Sequence, residues 1–187
     1  VRDPEKGERA RRAVMGATGR EVEMAVVDLG NRKSIRAFAR DFATRHPKLD
    51  VLVNNAGIWS EGRKVSADGV ELVWATNVLN YFLVTELLLP QLQAAGKARV
   101  VNVASQLAGG LDLTDVQFER RPYSGRTAYA QSKQADRMLT WALARRLSRT
   151  GVAANAMHPG FVATEIFGKG GGLVSLLASL YSKLRGR

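Results

Sequence analysis

Two side chains four residues apart carry the first chemical signal. Tyr129-Ala130-Gln131-Ser132-Lys133 places a phenol and an ammonium at i and i+4, which on a helix is one face. A phenol has an ordinary pKa of about 10 and trades protons poorly near neutrality. A neighbouring ammonium favours the phenolate and lowers that value. Each unit of lowering corresponds to about 1.4 kcal/mol of differential stabilisation. A Tyr–Lys pair is therefore a candidate general acid and base. By itself the pair says little, because this spacing is common on solvated helices.

Other residues give the pair a setting. Leu52-Val53-Asn54-Asn55-Ala56-Gly57 reads as a strand entering a turn of small residues. Small residues at the carboxyl end of a strand let a flat ring or a ribose approach the backbone, and open α/β sheets bind ligands there. A plain Asn/Gly turn is the other reading. The run 99–105 ends in Ser105, whose hydroxyl can hold a carbonyl oxygen or simply end a strand. Asn77 lies inside a helical stretch although asparagine is a poor helix former. It kinks the helix through backbone contacts, holds a water, or is merely tolerated. His158-Pro159-Gly160 forces a turn. Thr164 then donates to a phosphate or amide, or caps the next segment. His158 reads as structural, since nothing near it in sequence would orient a base.

Hydrophobic periodicity predicts the elements that must hold these groups. Helices are expected over 5–17, 34–45, 70–93 and 127–150, and strands over 22–29, 49–53, 99–103 and 152–157. The apolar run at 49–53 suits a strand buried on both faces. Residues 111–126 are polar and read as an insertion loop. The alternation predicts one α/β domain over 1–187, a doubly wound parallel sheet in three α/β/α layers.

Composition narrows the function classes. There is no cysteine, and His46 and His158 are the only histidines, so thiol nucleophiles, disulfides and Cys/His metal sites are excluded and no metal is expected. The net charge of +11 raises a nucleic-acid reading. The basic residues fall on helix faces with acids between them, and no aromatic-interleaved basic stretch occurs; solvated faces explain them. No nucleic-acid partner is expected. No apolar run reads as long enough to span a bilayer.

Asn54-Asn55-Ala56-Gly57, the helix residue Asn77, Ser105 at a strand end, Tyr129-x-x-x-Lys133 and Pro159-Gly160 occur in that order. The set resembles the short-chain dehydrogenase/reductase family over residues 2–164. The resemblance implies a Rossmann-like fold and an NAD(P)-dependent oxidoreductase, in which the cofactor supplies the hydride and the protein supplies orientation and proton transfer. It implies Tyr129 as acid/base, Lys133 as the group that lowers the tyrosine and binds the nicotinamide ribose, Ser105 as the carbonyl holder, and Asn77 as the holder of a relay water. It assigns Asn55, Ala56 and Gly57 to the turn against the cofactor, Asp28 and Leu29 to the adenine, and Pro159, Gly160, Val162 and Thr164 to the nicotinamide end. Arg2 is similar to the arginine that meets a 2′-phosphate, which favours NADP(H) over NAD(H); a guanidinium suits that group. The insertion at 112–126 is similar to that of the retinol-dehydrogenase-like branch, which implies a lipophilic alcohol or carbonyl as substrate. Pairing through the two long helices as a homodimer or homotetramer, and a cytoplasmic location, complete the expectation.

The resemblance also implies an opening strand and a glycine-rich turn that cradles the pyrophosphate. No such turn precedes Arg2, and Gly16-Ala17-Thr18-Gly19 follows a helix instead. The expectation is a domain incomplete at both ends that binds cofactor poorly as it stands. A non-catalytic Rossmann-like scaffold is the alternative. Leu173, Leu176, Leu177, Leu180 and Leu184 form an apolar stripe followed by basic residues. A substrate lid, a membrane-surface contact through 173–187, or a packing helix would each explain it.

Overall fold

The computed structural model describes residues 1–160. Helix α1, Pro4–Thr18, starts at Asp3, whose side chain accepts a hydrogen bond from the Lys6 amide with Pro4 in the first turn. Asn31 caps α2, Arg32–Arg45, in the same way through the amides of Lys33 and Ser34.

Three parallel strands follow in the order β1, Val51–Asn54; β2, Ala98–Val103; and β3, Val152–Met157. Their register aligns Leu52 with Val100 and Ala154, and Asn54 with Asn102. Side chains alternate along a strand, so these residues share one face. On that face Ala98, Val100, Val152 and Ala154 pack with Leu92, Leu143 and Leu147. These last three come from α4, Asn80–Ala94, and from α5, Gly125–Arg146, with the turn that follows it. Helix α2 adds Ile35 and Ala39 against Val84 and Leu88 of α4. The opposite face differs from expectation, since Val51 and Val53 are more than half exposed. Among the described residues the helices packed on the sheet lie on one face.

Two expected elements form differently. Residues 22–29 make no strand. A strand needs a neighbouring backbone, and among the described residues this run has Val1 beside it: the Val1 amine donates to the Ala25 oxygen, and the Val27 amide donates to the Val1 oxygen at 2.7 Å. The expected helix over 70–93 is divided into a short α3, Leu72–Trp74, a π turn over Ala75–Leu79, and α4. Leu72–Ala94 is 23 residues long and contains an 18-residue stretch of mean hydropathy 1.4. Contrary to the sequence expectation it is long and apolar enough to cross a bilayer, yet its stripe of Val84, Leu88 and Leu92 is buried in the core of the fold.

The insertion loop is packed rather than loose. Asp115 is buried and accepts from the amides of Glu119, Arg120 and Arg121 at 2.8, 3.2 and 3.2 Å. This folds the chain back so that Phe118, at φ 54°, is buried against Val73 and Ala128. Gln117 joins the loop to the start of α3 by accepting from the Glu71 amide.

Candidate active site

The candidate residues converge where the strands end. Asn55 follows β1 and Ser105 lies two residues beyond β2. Helix α5 is held in place by its own N-terminal cap and by three contacts with other elements. Ser124 caps it through the Thr127 amide, and Gly125 lies against the Ser60 backbone. Ala128 joins the cluster of Val73 and Phe118, and Thr140 accepts from Asn102 Nδ2 of β2 at 2.8 Å. Asn102 in turn accepts from Asn54 Nδ2 at 2.8 Å. A buried amide ladder thus ties β1, β2 and α5 together.

Tyr129 is buried on the first turns of α5, with its ring 5.4 Å from that of Trp59. Burial pushes its phenol above the ordinary value, a hydrogen bond with Ser105 works the other way, and the charge of Asp136 pushes it up further. The expected lowering by Lys133 is not what this geometry produces. Lys133 Nζ lies 6.0 Å from the Tyr129 ring centroid. It donates to the Val103 oxygen at 2.8 Å, to Asp136 Oδ2 at 2.9 Å and to the Tyr81 hydroxyl at 3.4 Å. An ammonium has three protons, and all three have partners on the side of the sheet. The carboxylate beside it compensates its charge.

Asp136 was not singled out from sequence. It is fully buried three residues beyond Lys133, and its Oδ1 has no hydrogen-bond partner among the described residues. Burial pushes its carboxyl up to about 7, with the Lys133 ammonium holding it back. Its one sequence signal is an acid at i+3 from the lysine, a spacing usually read as a solvated helix face. Trp59, just past the Asn-Asn-Ala-Gly turn, was missed as well.

Asn77 sits in the middle of the π turn and is fully buried. Its Oδ1 accepts from the Ile58 amide at 2.9 Å, while Nδ2 donates to the Ile58 oxygen at 3.1 Å and to Ser132 Oγ at 3.0 Å. Of the readings open for this residue, backbone contact is the one its side chain makes. Both amide protons are committed to protein.

The remaining residues are more dispersed. Asn55 and Ala56 are exposed at the end of β1, and Gly57 is half-buried. Pro159 and Gly160 are exposed just beyond β3, with Gly160 at φ 75°. Asp28 is exposed and accepts from the Gly30 amide at 3.0 Å, with Leu29 half-buried next to it. Arg2 is exposed beside Val1 and is not brought to the Tyr129 cluster. Val162, Thr164 and the 173–187 segment lie outside the described residues.

The family model described as short chain dehydrogenase matches residues 1–171. Human "Retinol dehydrogenase 13" is 39% identical over 168 residues, covering 88% of this chain and 51% of its own. Mouse "Retinol dehydrogenase 12" is 41% identical over 184 residues, covering 97% and 58%. The chain thus spans about half the length of the curated relatives it matches. A crystal structure of a metagenomic short-chain oxidoreductase in complex with NADP superposes with a TM-score of 0.69 at 26% identity, covering 98% of this chain and 76% of the other. With its ordered motif set placed at the ends of parallel strands and the match extending over nearly all of its length, the chain belongs to the short chain dehydrogenase family.

Proposed function

We propose that this chain carries the catalytic centre of an NAD(P)-dependent oxidoreductase acting on a lipophilic alcohol or carbonyl. The observation that carries the reading is the buried Tyr129 phenol, whose pKa the Ser105 hydroxyl lowers, with Lys133 one turn away on the same helix. The relatives named retinol dehydrogenases support a lipophilic substrate, and the NADP complex of a structural neighbour supports the cofactor class.

The residues present fit the reactive end of such a cofactor. Asn55 and Ala56 leave a small, exposed surface at the end of β1, and among the described residues a side chain at Gly160 would meet nothing within 4 Å. When bound, the nicotinamide gives or takes the hydride. Tyr129 moves the proton: its hydroxyl donates to the carbonyl oxygen in reduction, and its phenolate accepts the proton of the alcohol in oxidation. Ser105 holds the same oxygen. Lys133 turns one donor from its present partners to the ribose. Asn77 keeps Ile58 and Ser132, and hence the Tyr129 turn of α5, in place. Trp59 shields the phenol from water. Asp28 and Leu29 take the adenine, and Arg2 takes a 2′-phosphate, so NADP(H) is preferred. Pairing through α4 and α5 belongs to this reading, with Phe82 exposed on α4 and Met138 and Trp141 on α5.

Titration of the full-length protein with NADPH and NADH, followed by turnover of a long-chain aldehyde, tests this. The expected result is tighter NADPH binding, and a loss of rate of at least about 100-fold in Tyr129→Phe with cofactor binding kept. Absence of binding, or full activity in Tyr129→Phe, rules it out.

A further inference from the structure

The proton transfer assigned to Tyr129 makes no use of Asp136, yet this acid lies at the heart of the site. It is wholly buried, its Oδ2 is 2.9 Å from Lys133 Nζ, and its Oδ1 has no hydrogen-bond partner among the described residues. A buried pair that serves stability alone needs further hydrogen bonds on its remaining lone pairs. Here Thr140 Oγ1 binds the Asp136 backbone oxygen and not its carboxylate. The titratable groups that face the carboxylate are Lys133 and Tyr129 of α5 and Tyr81 of α4. From β2 comes the neutral Val103 oxygen, which shares the Lys133 ammonium.

The geometry points to Asp136 as a positioning residue: its carboxylate seats Lys133 against β2 and cancels its charge, and thereby sets the acidity of Tyr129. The inference rests on the oxidoreductase reading and deepens it. While Asp136 is ionised, its charge offsets that of Lys133 and raises the phenol, with Lys133 Nζ 2.9 Å from the carboxylate and 6.0 Å from the Tyr129 ring centroid. When Asp136 is protonated or replaced by an amide, the ammonium is uncompensated and favours the phenolate. The raised carboxyl value supports this, because it brings that change of state within reach of neutral pH. Lys133 is thus held in reserve by its own helix neighbour.

The test is Asp136→Asn in the full-length protein, which keeps shape and hydrogen bonding and removes the charge. Tyrosinate absorbance, taken as the difference from Tyr129→Phe in the same background, reports Tyr129 titration without turnover; the pH–rate profile with NADPH reports it during catalysis. Both are expected to shift to lower pH by about one unit in Asp136→Asn. Asp136→Ser, smaller and equally uncharged, is expected to shift the same way. An unmoved titration in a folded variant overturns the inference, and so does unfolding of both variants, which would make Asp136 a structural residue. A shifted titration in a protein that never turns over any carbonyl keeps the assignment of Asp136 and discards the oxidoreductase reading.

Discussion

Asn77 Nδ2 donates to Ser132 Oγ at 3.0 Å, and the Ser132 hydroxyl donates in turn to the backbone carbonyl oxygen of Tyr129 at 2.8 Å. The π turn is thereby bonded to the turn of α5 that presents Tyr129. Since Asn77 also grips both polar backbone groups of Ile58, one amide side chain aligns three segments around the site.

Removing that amide should loosen all three. Asn77→Ala is expected to destabilise the protein by about 3 kcal/mol, since buried partners lose their hydrogen bonds, and to lower the turnover rate by more than it lowers cofactor affinity. Urea unfolding and steady-state kinetics measure both. A loss of stability below about 1 kcal/mol would show that Ile58 and Ser132 find other partners.

Glycine-to-alanine changes should have opposite effects in two helices. At Gly125 an added methyl would press into the Ser60 carbonyl and lie 3.1 Å from Trp59 Nε1. Gly125→Ala is expected to cost about 2 kcal/mol despite the better helix propensity of alanine. At Gly16, within α1, the methyl would meet nothing within 4 Å, and Gly16→Ala should stabilise by up to about 1 kcal/mol. Paired thermal melts decide this, and equal shifts in the two variants would contradict it.

Asp136 should leave a mark on stability as a function of pH. Its folded value, about 7, lies above the ordinary 3.8, so the native state holds the proton more tightly than the unfolded chain does. The contribution is fully present below pH 4 and is lost as pH rises through 7. Asp136→Asn lacks this dependence. The variant should therefore gain on the parent by a few kcal/mol between pH 4 and 8, as read from urea midpoints across that range. A constant difference between the two would mean that the carboxyl does not titrate there.

Much of the frame was legible from the chain, and the failures have physical reasons. The strands at 98–103 and 152–157 and the helix with Tyr129 announce themselves by apolar runs and caps. Residues 22–29 have the pattern of a strand, but alternation cannot show which backbone will lie alongside; among the described residues that backbone is Val1. The break at Ala75–Leu79 is invisible to an averaged periodicity, although the presence of Asn77 hinted at it. The Tyr129–Lys133 spacing correctly put both on one helix. Where the lysine amine points was out of reach, because that depends on the Val103 oxygen of another element and on Asp136.

The π turn also bears on how the length of this chain can change. A wide turn takes in one residue more than an α-helical turn would over the same rotation. Deleting a residue within Ala75–Leu79 would restore an ordinary turn and leave the angular phase of Val84, Leu88 and Leu92 intact. Deleting one within Asn80–Ala94 would rotate the two halves of the helix by about 100° relative to each other, splitting the stripe that covers the sheet. The helix thus has one place where an indel could be absorbed. That place is held open by Asn77, whose grip on Ile58 such a deletion would end.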